Sequence, residues 1–318
     1  MTLFLSRAEV EPLLDLRQAM EQTVATLREQ ARGATVAIPP RSAPLPEDEL
    51  RVVTGALVES ERLLVRYVTP TRGDRSLALL FDLASGDLLS IMAYPFSTLR
   101  TGATVGVATD LLARADAATV GLLGTGRNAL SLLQAACLTR PIERVRVYSR
   151  DRARREQFAA RAAAALGVPV ESAPDPRAAT EGAAIVYAAT DSPEPVIDAT
   201  CVAPGALVVS MGQPSELAPS VYLAAGLVVV GNKRHEEASF RTSKSRHYLW
   251  ELVNSGHLDW AALPELCELV ADRPTEHTDP AQIVVFKESQ GGIGDAALAG
   301  WVFAQAREQG LGREWELG

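Results

Sequence analysis

The segment Thr119-Val-Gly-Leu-Leu-Gly-Thr-Gly-Arg-Asn-Ala129 decides the fold, because it joins an apolar run to a glycine-rich turn and then to a helical pattern. Gly124, Gly126 and Ala129 have the G-x-G-x-x-A spacing of a dinucleotide-binding turn. The first glycine permits a tight turn, the second lets the main chain approach a pyrophosphate, and the small third residue lets helix and strand pack closely. The turn therefore predicts phosphate binding at the N-terminus of the following helix.

Apolar runs and helical patterns alternate after this turn. Helical patterns cover about 127–139 and 151–166, and the apolar runs stand at 119–123, 145–148, 183–189, 207–210, 227–230 and 283–286. Such alternation is typical of an α/β fold with a doubly wound parallel sheet that is covered on both faces. Residues 116–290 are therefore predicted to form a Rossmann dinucleotide-binding domain.

The first hundred residues follow a different pattern. Residues 6–32 are predicted to be mainly helical, and a proline-rich turn is predicted next, at Pro39, Pro40, Pro44 and Pro46. Residues 50–93 contain short strand runs separated by turn residues, which predicts an antiparallel meander. A helix at about 95–115 and a last helix at about 294–310 complete the predicted elements.

The composition narrows the classes of protein to which the chain can belong. Its 318 residues carry a formal net charge of −8, with 47% hydrophobic and 22% charged residues, which is typical of a globular protein and argues against nucleic-acid binding. Three scattered cysteines give neither a zinc-binding spacing nor a disulfide framework, so no metal site is predicted. No apolar run is long enough for a membrane span, and the N-terminus lacks a signal-peptide pattern, so the cytoplasm is the expected location.

The residues after the second strand bear on the choice of cofactor. NAD-dependent enzymes usually carry an acidic residue there to bind the ribose hydroxyls, whereas this chain has Ser149 and Arg150. A hydroxyl and a guanidinium suit a 2′-phosphate, so NADP is predicted, with NAD as the alternative. Under the simpler interpretation, the nearby arginines form only a solvated helix face: Arg150, Arg152, Arg154 and Arg155.

One segment with a histidine and two glutamates has the residue types of a metal site. His235, Glu236 and Glu237 are adjacent in sequence, however, and adjacent side chains do not converge on one ion. A solvated helix start is the favoured interpretation. His247 is interpreted as an isolated surface or capping histidine, with a role as an acid or base as the alternative.

Several segments together resemble the ornithine cyclodeaminase and mu-crystallin family, from about residue 36 to residue 306. They are Pro40-Arg41-Ser42, Val65-Arg66-Tyr67-Val68, Phe81–Gly86, Thr98–Ala103, the glycine turn, Ala188–Ser192, Glu216-Leu217, Phe286-Lys287 and Gly292-Ile293-Gly294-Asp295. The resemblance implies that residues 1–115 and 291–318 form an α+β substrate-binding and dimerisation domain into which the Rossmann domain is inserted. It also implies a homodimer and a small amino or imino acid ligand, whose carboxylate is held by basic residues next to the nicotinamide.

The resemblance assigns candidate site residues. Arg41 and Arg100 match the family's carboxylate-binding arginines, and Arg66 aligns with its active-site lysine. Arg41, Arg66 and Arg100 are thus the candidate substrate ligands, and Arg66, Arg100 and Asp295 the candidate catalytic residues. The candidate cofactor contacts are Gly124, Thr125, Gly126, Arg127, Asn128, Ser149, Arg150, Thr190, Met211 and Gly212.

Two departures from the family pattern bear on the reaction. No lysine precedes Lys233, and the arginine at position 66 stays charged, so it cannot readily transfer a proton. The loop 211–216 also lacks the aspartate that cyclodeaminases present there, and Glu216 matches a structural glutamate instead. Tyr67, Asp295 and a bound water are the remaining candidate proton sources.

The predicted function is an NAD(P)H-dependent oxidoreductase acting on a small imino or amino acid, similar to ketimine or pyrroline-carboxylate reductases. Such a reaction needs hydride geometry, a carboxylate anchor and a proton source. The alternatives are an ornithine cyclodeaminase-like ammonia lyase with bound NAD, a non-catalytic, crystallin-like ligand-binding protein, and a biosynthetic enzyme that oxidises a larger amino-acid conjugate.

Overall fold

The computed structural model describes residues 1–46, 48–68, 76–242, 246–271, 279, 281–289 and 291–316. The chain divides into two compact units, of which unit 1 comprises Met1–Ala103 with Gln290–Gly318 and unit 2 comprises Thr104–Ser289. Unit 1 is thus built from both ends of the chain, whereas unit 2 is one continuous segment.

Unit 1 contains mainly consecutive strands, whereas strands and helices alternate in most of unit 2. In chain order they are β1 (Thr2–Leu5), α1 (Arg7–Val10), α2 (Leu16–Ala31), β2 (Thr35–Leu45), β3 (Asp48–Leu57), β4 (Arg62–Val68), β5 (Ser76–Asp82), β6 (Leu88–Met92), α3 (Ser97–Leu112), β7 (Thr119–Leu123), α4 (Ala129–Thr139), β8 (Arg144–Tyr148), α5 (Arg152–Leu166), β9 (Val170–Ser172), α6 (Pro176–Thr180), β10 (Ile185–Ala188), β11 (Leu207–Ser210), α7 (Pro219–Ala224), β12 (Leu227–Val230), α8 (Lys233–Thr242), α9 (Tyr248–Asn254), α10 (Leu266–Ala271), β13 (Val284–Lys287), α11 (Gly292–Gln309) and β14 (Arg313–Trp315). Short 3-10 turns stand at Glu11–Leu13 and Ala199–Cys201.

Unit 1 contains a seven-stranded sheet in the order β14-β1-β6-β5-β4-β3-β2. The strands from β2 to β6 pair antiparallel with their neighbours in sequence, which confirms the predicted meander. The short strands β1 and β14, which the sequence did not predict, extend the sheet beside β6.

The predicted proline-rich turn is wrong over most of its length. Strand β2 runs through Pro39, Pro40 and Pro44, and only Pro46 lies in a turn. Proline cannot donate a ladder hydrogen bond, but β2 is an edge strand, where that donor is not needed. The pairing with β3 shifts register between Ile38 and Arg41, as expected of a bulge where two prolines interrupt the ladder.

Helix α11 packs closely on one face of the unit 1 sheet. A Cβ on Gly292 would overlap the carbonyl oxygen of Thr54, and one on Gly55 would overlap the main chain of Gly292. Two glycines therefore let the start of α11 reach the main chain of β3. This close approach places Asp295, in the first turn of α11, beneath the sheet.

Unit 2 contains a parallel sheet in the order β12-β13-β11-β10-β7-β8-β9. Strands β10, β11 and β13 are buried at every position, as expected of a parallel sheet covered on both faces. The order reverses at β7, since β8 lies on one side of it and β10 on the other. The predicted doubly wound α/β fold is confirmed, and the carboxyl ends of β7 and β10 mark its topological switch point.

No helix in the described ranges is long and apolar enough to cross a membrane. Those same ranges hold no group of three or more histidine, cysteine, aspartate or glutamate side chains placed to bind a metal ion.

Candidate active site

The glycine turn lies at the carboxyl end of β7. Gly124 has φ +97°, its N–H donates to the Tyr148 carbonyl at 2.8 Å, and a Cβ there would overlap the Ala189 carbonyl oxygen. The neighbouring strand ends therefore require glycine at this position. Gly126 differs, because no atom lies within 4 Å of the place where its Cβ would be. A pyrophosphate can approach the main chain only where such space is open. The turn therefore fits a dinucleotide.

The turn after β8 contacts the glycine turn directly. Thr125 Oγ1 donates to Ser149 Oγ at 3.1 Å, which joins two predicted cofactor residues. Arg150 is 78% exposed and its Nη2 pairs with Asp191 Oδ1 at 3.3 Å, beyond the end of β10. The ends of β7, β8 and β10 thus carry hydroxyl and guanidinium groups at one edge of the sheet.

The solvated-face interpretation of the arginines on α5 is only partly right. Arg152 is 82% exposed and pairs with Glu156 one turn later, as a surface residue would. Arg155 contradicts the interpretation, because it is only 7% exposed. The spacing gave a signal for this burial: Arg155 stands three, four and seven residues before the buried Phe158, Ala159 and Ala162.

Glu216 joins the loops after β10 and β11. Its Oε2 accepts from the N–H of Thr190 at 3.0 Å and from the Thr190 hydroxyl at 3.1 Å, while Oε1 accepts from Ser210 Oγ at 2.9 Å and the Gly212 N–H at 2.7 Å. Burial raises the pKa of Glu216, against the charge of Lys287 and these donors. The side chain therefore fixes Thr190 and Gly212, two of the predicted cofactor contacts, relative to each other. Gly212 itself has no room for a Cβ, which would overlap the Thr190 carbonyl oxygen.

The interpretation of Glu236 and His247 as solvated or isolated residues is wrong. Glu236 is 2% exposed and His247 is 4% exposed, and Nε2 of the histidine lies 2.9 Å from Oε1 of the glutamate. Burial alone would raise the pKa of Glu236, but the charge of Lys287 and the adjacent His247 outweigh it, and the pKa is lowered. A pair of this kind joins α8 to the start of α9, eleven residues apart, which local sequence pattern does not predict.

Acid is expected to destabilise unit 2 through Glu236. Because its pKa in the folded chain lies below the ordinary value of 4.5, its contribution to stability is present above that value and is lost as the pH falls through the lowered pKa. The groups acting on it are Lys287, His247 and His235. Glu236→Gln should therefore have a lower urea midpoint at neutral pH and a flatter profile between about pH 5 and about pH 3. The exposed control Glu156→Gln should keep the wild-type profile, and an equally steep acid profile in Glu236→Gln would contradict the assignment.

Unit 1 brings together three of the predicted site residues. Arg66 Nε and Nη2 lie 2.9 and 2.8 Å from Asp295 Oδ2, and Arg100 Nε lies 3.6 Å from Oδ1 of the same carboxylate. Arg66 is 3% exposed and Asp295 is fully buried. Arg66 Nη1 also reaches Ser76 Oγ at 3.4 Å. Ser76 was not predicted, although its period-two spacing from the buried Ala78 places it on the same inner face of β5.

The geometry of this arginine cluster bears on the role of each member. A carboxylate shared by two guanidiniums accepts hydrogen bonds and orients its partners, which favours a positioning role for Asp295 over proton donation. Tyr67 follows Arg66 on β4 and therefore points to the opposite face, where it is 44% exposed. It does not join the cluster. Arg41 is exposed on the edge strand β2, and the contacts of the described residues do not link it to Arg66, Arg100 or Asp295.

Comparison with known proteins identifies relatives over the whole chain. Residues 1–310 match the model of the ornithine cyclodeaminase/mu-crystallin family. A Δ1-pyrroline-2-carboxylate reductase of Bacillus cereus is 27% identical over 330 residues, covering 99% of this chain and 100% of the relative.

Two solved structures have the same fold. The Δ1-pyrroline-2-carboxylate reductase of Thermococcus litoralis, in complex with NADH and L-proline, superposes with a TM-score of 0.87 at 26% identity, covering 99% of this chain and 100% of that one. A lysine cyclodeaminase, whose structure concerns recognition of L-lysine, L-ornithine and L-2,4-diaminobutyric acid, gives a TM-score of 0.80 at 26% identity, covering 100% and 96%. A reductase and a cyclodeaminase thus share this architecture.

Proposed function

This chain belongs to the ornithine cyclodeaminase/mu-crystallin family, as the sequence predicted, and from that premise we propose that it is an NAD(P)H-dependent reductase of small imino acids. The oxidoreductase class and the imino- or amino-acid substrate class are confirmed by full-length likeness to Δ1-pyrroline-2-carboxylate reductases. The observation that favours reduction over ammonia elimination is the Arg66–Asp295–Arg100 cluster, in which an arginine that cannot readily give up its proton stands where the family's lysine is expected.

Reduction of an imine adds a hydride to the carbon and a proton to the nitrogen of the C=N bond. The reduced dinucleotide supplies the hydride when bound and leaves in oxidised form. The residues of unit 1 bind and orient: the guanidinium of Arg100, with Arg41, anchors the substrate carboxylate, and Asp295 holds Arg66 and Arg100 in place. With Asp295 and Tyr67 disfavoured as donors, the proton comes from the iminium form of the substrate or from water.

The residues of unit 2 bind the dinucleotide. The turn Gly124-Thr125-Gly126-Arg127-Asn128 receives the pyrophosphate, and Thr190, Met211 and Gly212 line the nicotinamide end. Ser149 and Arg150 receive the adenosine 2′-phosphate, so the preferred cofactor is NADP rather than NAD. In domain terms, residues 116–290 bind the cofactor, and residues 1–115 with 291–318 bind the substrate and form the dimer.

The test follows NADPH and NADH oxidation with Δ1-pyrroline-2-carboxylate, Δ1-piperideine-2-carboxylate, and pyruvate mixed with simple amines. We expect turnover with at least one cyclic or acyclic imino acid, and a higher kcat/KM with NADPH. Ammonia released from ornithine or lysine without net loss of reduced dinucleotide would instead establish the lyase. Calorimetric binding of NADPH without turnover of any substrate would establish a binding protein, and both outcomes would overturn the reductase.

One face of the unit 1 sheet is apolar and exposed. Pleating places cross-strand partners on the same face, and the register aligns Thr54 with Val65 and Leu79, and Val52 with Tyr67 and Leu77. Large apolar side chains on this face are 40% to 44% exposed: Val36, Ile38, Tyr67, Leu77 and, by its pairing with Ile91, Phe4. Contiguous apolar surface of this kind marks an interface, and a second copy of the chain offers the same apolar face. We therefore propose a homodimer that buries it.

A charge on this face is expected to dissociate the dimer. In a two-fold symmetric contact, Leu77→Glu places two like charges in a shared apolar interface, which should weaken dimerisation by at least about 30-fold. Sedimentation equilibrium over a range of concentrations measures the change. The matched control is Leu223→Glu, because Leu223 is 52% exposed in unit 2 and should leave the association unchanged. A monomeric wild type, or equal effects of the two substitutions, would contradict the interface.

A further inference from the structure

Arg155, on helix α5, is a buried cation that contacts the end of strand β8. Its Nε donates to Ser172 Oγ at 2.8 Å, its Nη1 donates to the carbonyl oxygen of Ser149 at 2.6 Å, and its guanidinium carbon lies 5.2 Å from the centre of the Tyr148 ring. Only 7% of the residue is exposed. One side chain on α5 thus clamps the ends of β8 and β9.

The partners of Arg155 do not cancel its charge. Among the described residues they are a carbonyl, a hydroxyl and an aromatic ring, none of them a carboxylate. Burying a cation costs free energy unless an anion compensates it. The exposed arginines nearby differ, since Arg150 is paired with Asp191 and Arg152 with Glu156. An unneutralised buried guanidinium directly behind an exposed turn is consistent with an anion that arrives from solution at that turn.

The carbonyl that Arg155 holds belongs to a residue of the candidate 2′-phosphate turn. Ser149 is fixed from one side by Arg155 and from the other by Thr125, whose hydroxyl donates to Ser149 Oγ. The peptide that carries the Ser149 carbonyl also carries the N–H of Arg150. Its orientation therefore governs where the Ser149 hydroxyl and the Arg150 side chain point. In a doubly wound sheet this turn, after the second strand, faces the adenosine ribose of the dinucleotide.

We propose that Arg155 is the positioning residue for cofactor selection: by clamping the Ser149 carbonyl beneath the turn, it sets Ser149 and Arg150 for a 2′-phosphate. The proposal rests on the proposed dinucleotide function. It assigns preference for NADPH to a buried residue that does not touch the cofactor, in addition to the exposed Arg150. Because the group that it serves is present in NADPH and absent in NADH, its loss should separate the two cofactors.

The test measures dissociation constants of NADPH and NADH by calorimetry for three variants of the full chain. Arg155→Met removes the clamp and the charge, and should weaken NADPH binding by about 30-fold while changing NADH binding by less than about 3-fold. Arg155→Lys keeps the charge but cannot bridge Ser149 and Ser172, so it should weaken NADPH by about 10-fold. Arg152→Met, on the same helix turn, removes an exposed charge and should change both constants by less than about 3-fold.

Steady-state kinetics provide the second readout. With NADPH, KM should rise in both Arg155 variants while kcat stays near the wild-type value, because hydride transfer itself is untouched. If the Arg155 variants lost NADPH and NADH affinity equally, Arg155 would have only a structural role, and the proposal would be overturned. Wild-type NADPH affinity in either Arg155 variant would also overturn it, while leaving the reductase intact. If the wild type bound neither dinucleotide, the proposed function would fall as well, which distinguishes the two failures.

If Arg155→Met did not fold, the same binding measurements would be made on Ser172→Ala. It removes one hydrogen bond of the clamp at 2.8 Å and leaves the guanidinium in place. We expect it to weaken NADPH by about 3-fold with NADH unchanged, and an unchanged ratio of the two constants would count against the proposal.

Discussion

Gly126→Val is expected to weaken NADPH binding by at least about 100-fold without disturbing the fold. In the free chain the position is exposed and no atom lies within 4 Å of a Cβ placed there, so the protein itself tolerates the side chain. A pyrophosphate that packs on the main chain of this turn would occupy the same space. Calorimetric titration measures the affinity, and the thermal midpoint should stay within about 2 °C of the wild type.

Substitution of the other glycine of the turn, Gly124, should affect stability as well as cofactor affinity. Gly124 has φ +97° and no room for a Cβ beside the Ala189 carbonyl, so Gly124→Ala should lower the thermal midpoint as well as the affinity. Gly126→Ala, with a smaller side chain, should give a smaller loss of affinity than Gly126→Val. Full NADPH affinity in Gly126→Val would refute the placement of the pyrophosphate at this turn.

Asp295→Asn is expected to have the largest effect on stability. The substitution keeps the shape but removes the charge that faces Arg66 and Arg100, and leaves the buried guanidinium of Arg66 without its carboxylate. Breaking a buried ion pair by removing one partner costs about 3–5 kcal/mol. The urea midpoint of the full chain should fall accordingly, and reductase activity should be lost with the orientation of Arg100.

An exposed ion pair between the same helix and strand β14 provides the control. Arg307 and Glu314 lie 2.9 Å apart with side chains 53% and 46% exposed, so Arg307→Met should cost less than about 1 kcal/mol. The double variant Arg66→Met with Asp295→Leu should recover part of the loss of Asp295→Asn, because an apolar pair replaces an uncompensated charge. A loss below about 1 kcal/mol in Asp295→Asn would show that the pair contributes no more than a surface contact.

The sequence correctly predicts the elements that are encoded by residue patterns within one short segment of the chain. The alternation of apolar runs with helical patterns located β7, α4, β8 and α5, and the spacing of three small residues located the dinucleotide turn. The sequence predicts a turn in place of most of β2, which is wrong because the edge position that makes proline tolerable is a property of the assembled sheet. Nothing in the residues from 35 to 45 carries that information.

In the candidate site, too, contacts between residues far apart in the sequence are not predicted by local pattern. Arg66 and Asp295 are 229 positions apart, and only the family resemblance selected both. That resemblance did not reveal that they pair with each other, which is what changes the interpretation of Asp295 from proton source to positioning residue. The predictions for Glu236 and His247 are wrong for a related reason, since both residues are buried where side chains of α8 and α9 meet.

Because unit 1 is assembled from both chain ends, its completion depends on the order in which the ribosome releases the polypeptide. All of unit 2 leaves the exit tunnel before α11 does, and domains fold as units during synthesis. During that interval Arg66 has emerged but its counterion Asp295 has not, and β1 lacks its neighbour β14. The nascent chain thus holds a folded unit 2 together with an incomplete, cationic unit 1 sheet, which the emergence of α11 and β14 completes.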